Sequence, residues 1–246
     1  MDLTLLLLFV LIGAINGVLT SLTGGGGLVS IPFLIFAGLP SNIAVATNSF
    51  SALGSAVGSV PVFLKGNKIE KKLILPLILL SIIGAFIGAM LLVKFPTEAL
   101  SKTIGVLLIL LTVFFFVKDK LAAKLKGHSK SEPIGYLLFF GNAILAGFFL
   151  GGTGAIAILV LSLFFGLDVI KANATRMPAL VILTLVTSFV FWQNNLINFE
   201  AGIALLIGTL IGGFLGAKLA VLKGEKWVQP LFVIVVLLTS LKLIIG

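Results

Sequence analysis

Thr23-Gly24-Gly25-Gly26-Gly27-Leu28-Val29-Ser30-Ile31-Pro32 sets four consecutive glycines between two apolar runs. Lipid offers no hydrogen-bond partner to a free backbone group, so a glycine break at membrane depth lasts only where it is buried in protein or lines a wet cavity. Glycine lets the chain turn sharply and lets another group approach the backbone. The helix that restarts after such a break presents unpaired amide hydrogens at the positive end of its dipole, which attracts anions. The plainer alternative is glycine that only lets membrane helices pack closely. Recurrence favours the break: Gly151-Gly152-Thr153-Gly154 repeats it, with Gly152 standing 128 positions after Gly24. Paired discontinuous segments in the two halves of a membrane protein point to a transporter's binding site.

Working outward, residues 3–22 form a first apolar span that carries Asn16 and Thr20 near its end, and 28–37 a helix too short to span comfortably. Gly38-Leu39-Pro40-Ser41-Asn42 has turn and helix-start chemistry. A long span over 43–64 opens with Thr47, Asn48, Ser49 and Ser51; a basic loop, Lys65 to Lys72, follows. Residues 73–93 carry Gly84 and Gly88, a small-xxx-small packing face. Lys94 to Lys102 is a connector and 103–117 a last span. After a basic linker, 118–132, the pattern restarts: 134–150 match the first span, 155–165 the short helix, and Gly212/Gly216 repeat Gly84/Gly88. The chain thus divides into a first repeat, 1–117, the linker, and a second repeat, 133–246.

With 59% hydrophobic and 10% charged residues and a mean hydropathy of +1.28, this is an all-α polytopic membrane protein rather than a soluble domain. The formal net charge of +9 comes from lysines at segment ends, so it marks orientation and not nucleic acid. There is no cysteine, which excludes disulfides and thiolate chemistry. Met1-Asp2-Leu3 lacks the basic start of a secretory signal, so the first run is expected to be retained. Lys65 to Lys72 is strongly basic whereas its counterpart, Gln193 to Glu200, has no lysine. With basic loops cytoplasmic, the repeats are inverted, both termini lie outside and the central linker lies in the cytoplasm. Inversion needs an odd number of crossings per half, so each short helix either crosses with help from its neighbours or returns as a re-entrant hairpin with the glycines at its tip.

An inverted duplication brings the two breaks together at mid-membrane, where secondary transporters bind substrate. Arg176 is the only arginine; it lies early in a long apolar span, at the position Asn48 holds in the first half. An ionisable group inside a span is a functional candidate by default, and a guanidinium offers a planar fork of donors for oxyanions. The competing reading is an arginine snorkelling to the surface beside Lys171. Every acid falls at a segment end or in a loop, so none is placed to bind sodium or relay a proton, and the substrate is expected to be an anion. Asp168 is expected to cap the helix that carries Arg176. The candidate binding set is Gly24, Gly25, Gly26, Gly27, Thr47, Asn48, Gly152, Thr153, Gly154, Thr175 and Arg176, with Thr23, Ser49 and Asn173 close by. The competing fate of the hydroxyls is a bond to their own helix backbone. His128, the single histidine, reads as a solvated linker residue. The glycines lack the Lys-Ser/Thr ending of a phosphate loop. No histidine pair or buried acid pair supports metal or hydrolase chemistry, so neither a metal, a cofactor nor an enzyme is implied.

The first break with its sequel Gly38-Leu39-Pro40 and Ala44-Val45-Ala46-Thr47-Asn48-Ser49, together with Gly151-Gly152-Thr153-Gly154 and Lys171-Ala172-Asn173-Ala174-Thr175-Arg176, resembles the TauE/SafE family of membrane transporters, the sulfite exporter family, over essentially the whole chain. The resemblance implies movement of small sulfur anions, such as sulfite, sulfoacetate or another organosulfonate, across a prokaryotic plasma membrane. Thr153 replaces a glycine of the first break, and the second short helix has no proline matching Pro32. The expectation is an inverted-repeat secondary transporter working by alternating access; the rivals are an anion channel or facilitator and a non-transporting membrane scaffold. Partners reduce to the small anion, the lipid bilayer and, as an option, a second copy in a homodimer.

Overall fold

The structure, a computed structural model, describes residues 3–125 and 131–223. Among these the chain is helical throughout: α1 (Leu3–Thr23), α2 (Gly27–Phe36), α3 (Ser41–Lys65), α4 (Lys71–Lys94), α5 (Thr97–Leu125), α6 (Glu132–Phe148), α7 (Thr153–Phe165), α8 (Val169–Gln193) and α9 (Phe199–Lys223). Five of the described helices are long and apolar enough to cross a membrane: α1, α3, α4, α8 and α9. Large apolar side chains such as Leu75, Leu79, Ile83 and Phe86 on α4 face outward, while α3 buries Thr47, Asn48, Ser49, Ser51, Ser55 and Ser59. Apolar groups outside and hydroxyls inside is the arrangement a lipid solvent selects.

One boundary differs from the sequence reading. α5 is continuous from Thr97 to Leu125 and so absorbs the second half of the connector and the start of the linker. Glu98-Ala99-Leu100 before the span and Leu121-Ala122-Ala123-Lys124-Leu125 after it are strong helix formers with no glycine or proline to stop the helix. The rest of the linker, with His128, and the part of the second repeat beyond Lys223 lie outside the described residues.

Both glycine breaks are hairpin tips. Phe9 near the start of α1 meets Phe33 near the end of α2, with ring centroids 5.7 Å apart. Tyr136 at the start of α6 meets Phe165 at the end of α7 at 4.9 Å. Each short helix therefore returns along the helix before it. At about 15 Å for ten residues, α2 reaches back over only half a bilayer core.

The two halves share backbone irregularities. Among the described residues, positive φ occurs at Gly24 and Gly152 (76° and 82°), Gly38 and Gly166 (93° and 69°), and Asn67 and Asn195 (50° and 55°). Each pair is separated by the same 128 positions. The packing partners are exchanged as well: α9 lies on α1 and α3, α4 lies on α6 and α8, and α3 meets α8 between them. Small residues make these contacts close. A methyl on Gly84 would stand 2.7 Å from Ala143 Cβ, and one on Gly216 would stand 2.8 Å from the Val18 backbone.

Candidate functional site

The hairpin tips meet backbone to backbone. A methyl on Gly24 would lie 2.8 Å from Gly154 Cα, one on Gly154 2.7 Å from Gly24 Cα, and one on Gly27 2.8 Å from Gly151 Cα. A side chain at any of these positions would drive the tips apart. The left-handed backbone at Gly24 and Gly152 is a second reason for glycine there.

Arg176 comes into this junction from α8, 5% exposed, its Cζ 3.0 Å from where a Gly154 Cβ would stand. The guanidinium Nε donates to Asn173 Oδ1 at 2.8 Å, and Nη2 donates to the Thr20 carbonyl at 2.8 Å. Asn173 is held in turn by donating from Nδ2 to the Ser21 carbonyl. Asp168 caps α8, its Oδ1 accepting from the Lys171 amide at 2.9 Å, as the sequence suggests. No carboxylate pairs with Arg176 among the described residues. Of the five N–H groups of a guanidinium, the two bonds above use two; the other three have no protein acceptor among the described residues.

Facing the guanidinium is a polar knot supplied by the first half. Asn16 Nδ2 donates to Ser30 Oγ at 2.8 Å and to Asn48 Oδ1 at 3.2 Å. Thr20 donates to Asn16 Oδ1 at 2.9 Å, and Ser30 donates to Asn48 Oδ1 at 2.5 Å. Because Asn48 accepts twice through its oxygen, its Nδ2 is left as a donor beside Gly27. At the helix starts, the amides of Gly27, Thr153 and Gly154 belong to the set that no preceding turn can satisfy. Asn16, Thr20, Gly24, Gly27, Asn48, Gly154 and Arg176 line a cavity with room for about one water. Its free groups are donors around one positive charge, which is chemistry for an anion.

The sequence-derived candidates divide. Gly24, Gly27, Asn48, Gly154 and Arg176 line this cavity. Gly26 lies against the Asn16 and Thr20 side chains and supports the knot, and the Gly25 amide donates to Thr23 Oγ1 at 3.3 Å. Gly152 faces Leu28 and Leu111, and Thr153 donates to the Leu150 carbonyl at 3.1 Å. Thr47 and Thr175 are occupied at a distance from it: Thr47 Oγ1 accepts from the Asn198 amide at 3.0 Å, and Thr175 Oγ1 accepts from the Glu70 amide at 2.9 Å. Ser49 bonds Thr187 across the α3–α8 contact at 2.8 Å. Asn16, Thr20 and Ser30 were not among the sequence candidates. A lone polar residue in an apolar span usually bonds its own backbone, and the one signal available was that the positions 128 later, Ile144, Phe148 and Ile158, are apolar.

Comparison with known proteins agrees with this architecture. The family model described as sulfite exporter TauE/SafE matches residues 9–243. A probable membrane transporter protein of Haemophilus influenzae is 26% identical over 99% of this chain and 97% of its own length. A probable membrane transporter protein of a Sinorhizobium species is 29% identical, over 97% and 92%. The probable membrane transporter protein YfcA of Escherichia coli K12 is 27% identical, over 95% and 87%. No solved structure matches the chain. With a family match over nearly the full length and relatives that align end to end, the chain belongs to the sulfite exporter TauE/SafE family and is a multi-pass membrane transporter.

Proposed function

We propose that this protein is a secondary transporter that moves a small sulfur-containing oxyanion across a prokaryotic plasma membrane by alternating access, with Arg176 as the charge that holds the substrate. One observation carries the reading: a buried guanidinium that, among the described residues, has no carboxylate partner and three uncommitted N–H donors. A buried charge is costly unless it is paired, and an oxyanion seated between Arg176, Asn48 Nδ2 and the hairpin-tip amides supplies the pair. Sulfur as the central atom rests on the family.

The cavity holds about one water, so this conformation is closed around the site, and an anion enters only when the tips part from Arg176. The exchanged packing of the halves and their matched positive-φ pairs support an internal duplication, and the lysine distribution supports its inversion. Inversion needs an odd number of crossings in the first half, which follows if the α1–α2 hairpin re-enters and α5, whose apolar stretch Lys102–Phe114 is shorter than a full span, crosses with α3 and α4. On this reading Lys68, Lys71, Lys72 and Lys171, which line a surface cleft with Glu70, form a basic cytoplasmic mouth that raises the local anion concentration, and both termini lie outside.

The test is calorimetric binding of sulfite, sulfoacetate, taurine, sulfate, acetate and phosphate to the purified protein and to Arg176→Ala. Selective binding of a sulfur anion, weakened at least about a hundredfold in the variant, is expected. Binding that is unchanged in the variant would remove Arg176 from the site. Counterflow of labelled substrate in proteoliposomes separates a carrier from a channel, which cannot show it.

A further inference from the structure

We propose that Arg176 serves a second anion station on its other side, formed with Ser81 and Asn142, so that substrate passes the guanidinium in two steps. The proposal rests on the anion reading of Arg176. A second cavity, with room for a water or two, lies between α4, α6, α7 and α8. It shares Leu150, Gly154, Arg176 and Leu180 with the first cavity, so these residues form the partition between them. The guanidinium is thus common to both.

Two polar atoms in the second cavity are unexplained by the fold. Ser81 Oγ and Asn142 Oδ1 are buried and have no hydrogen-bond partner among the described residues, on residues 1% and 8% exposed. Buried polar groups in folded proteins are almost always paired, so an unpaired one points to a ligand. The other buried unpartnered hydroxyls among the described residues, Ser162 and Ser188, line neither cavity. The remaining wall is apolar, with Phe139, Ala146 and Leu183, and does not itself require polar neighbours. Thr153, whose proton is committed to the Leu150 carbonyl, contributes only an acceptor.

The set of groups specifies the ligand. Ser81 donates to one oxygen of an oxyanion and Arg176 supplies charge, while the Asn142 carbonyl accepts from an O–H that the anion retains. A small, singly protonated oxyanion satisfies all three. The first cavity, by contrast, offers donors from Asn48, Arg176 and backbone amides and suits the same ion through its bare oxygens. One guanidinium between two such stations holds one anion at a time, its free N–H groups being shared between the two sides.

The experiment uses radiolabelled sulfite with the full chain in proteoliposomes, comparing wild type, Ser81→Ala, Asn142→Leu, the double variant and a Ser162→Ala control. Equilibrium binding is expected to stay within about threefold in every variant, because the Asn48 side of Arg176 is intact, while exchange in the double variant slows by at least about tenfold. Ser162→Ala should exchange like wild type. A double variant that binds normally and exchanges within about twofold of wild type overturns the second station and leaves the first untouched. Absence of sulfite binding to wild type removes both. Selenium anomalous scattering from crystals grown with selenite tests the position without any substitution: density beside Ser81 and Asn142 supports the station, and density confined to the Asn48 side overturns it.

Discussion

A guanidinium is a fork rather than a point charge, and at Arg176 the fork is aimed. Asn173 and the Thr20 carbonyl take one edge, and this fixes the plane that the free N–H groups present to the cavity. Lysine keeps the charge but offers a single flexible ammonium. Arg176→Lys should therefore retain measurable anion binding yet weaken it by about 1.5–3 kcal/mol, the range for a hydrogen bond to a charged group; calorimetry on the variant checks this, and wild-type affinity would show that charge alone suffices. Arg176 was legible in the sequence because it is the one arginine, set within an apolar run. Its side-chain partner Asn173 was legible too, three residues before it. The polar knot that faces it was not: Asn16, Thr20 and Ser30 lie on α1 and α2, and only the fold of the hairpin gathers them beside Asn48.

Among the elements, the glycine breaks could be read directly, since a glycine run that recurs 128 positions later favours a break over simple helix packing. The direction taken after each break could not, because a short helix that continues and one that returns have the same composition; the Phe9–Phe33 and Tyr136–Phe165 contacts decide it. The same limit applies to Thr47 and Thr175. Their place beside Asn48 and Arg176 in sequence suggested substrate contact, yet their hydroxyls secure the amides that lead into α9 and α4. These two bonds are equivalents of each other, and each joins the start of a helix in one half, α9 or α4, to the residue before a site side chain in the other half. Thr47→Val and Thr175→Val keep shape and remove the acceptor, which leaves a part-buried amide unsatisfied at a cost of about 1–3 kcal/mol. Each should lower the thermal midpoint and speed hydrogen exchange at Asn198 or Glu70 respectively, with anion affinity little changed. A fall in affinity without faster exchange would place the hydroxyls in the site after all.

For the whole molecule, the duplication was legible because its 128-position offset has no gap from Gly24 onward, and the structure adds matched backbone angles and exchanged packing to it. Inversion relative to the membrane is a separate matter, argued from lysines. The chain has no cysteine, so single cysteines report cleanly. Lys65→Cys and Gln193→Cys are equivalent exposed positions at the ends of α3 and α8. In intact cells an impermeant maleimide should label Gln193→Cys from outside and reach Lys65→Cys only after permeabilisation; labelling of both from one side would exclude inversion. On the proposed mechanism, the lack of a carboxylate beside Arg176 among the described residues also sets how transport responds to voltage. With a monovalent anion bound, the site is electrically neutral and crosses the field without work. Empty, it carries one positive charge, worth about 2.3 kcal/mol per 100 mV. Exchange, which uses only the loaded form, should be indifferent to an imposed potassium diffusion potential, whereas net flux should follow it. An interior-negative potential draws the empty site inward, so the resting voltage of a cell would drive this transporter toward export.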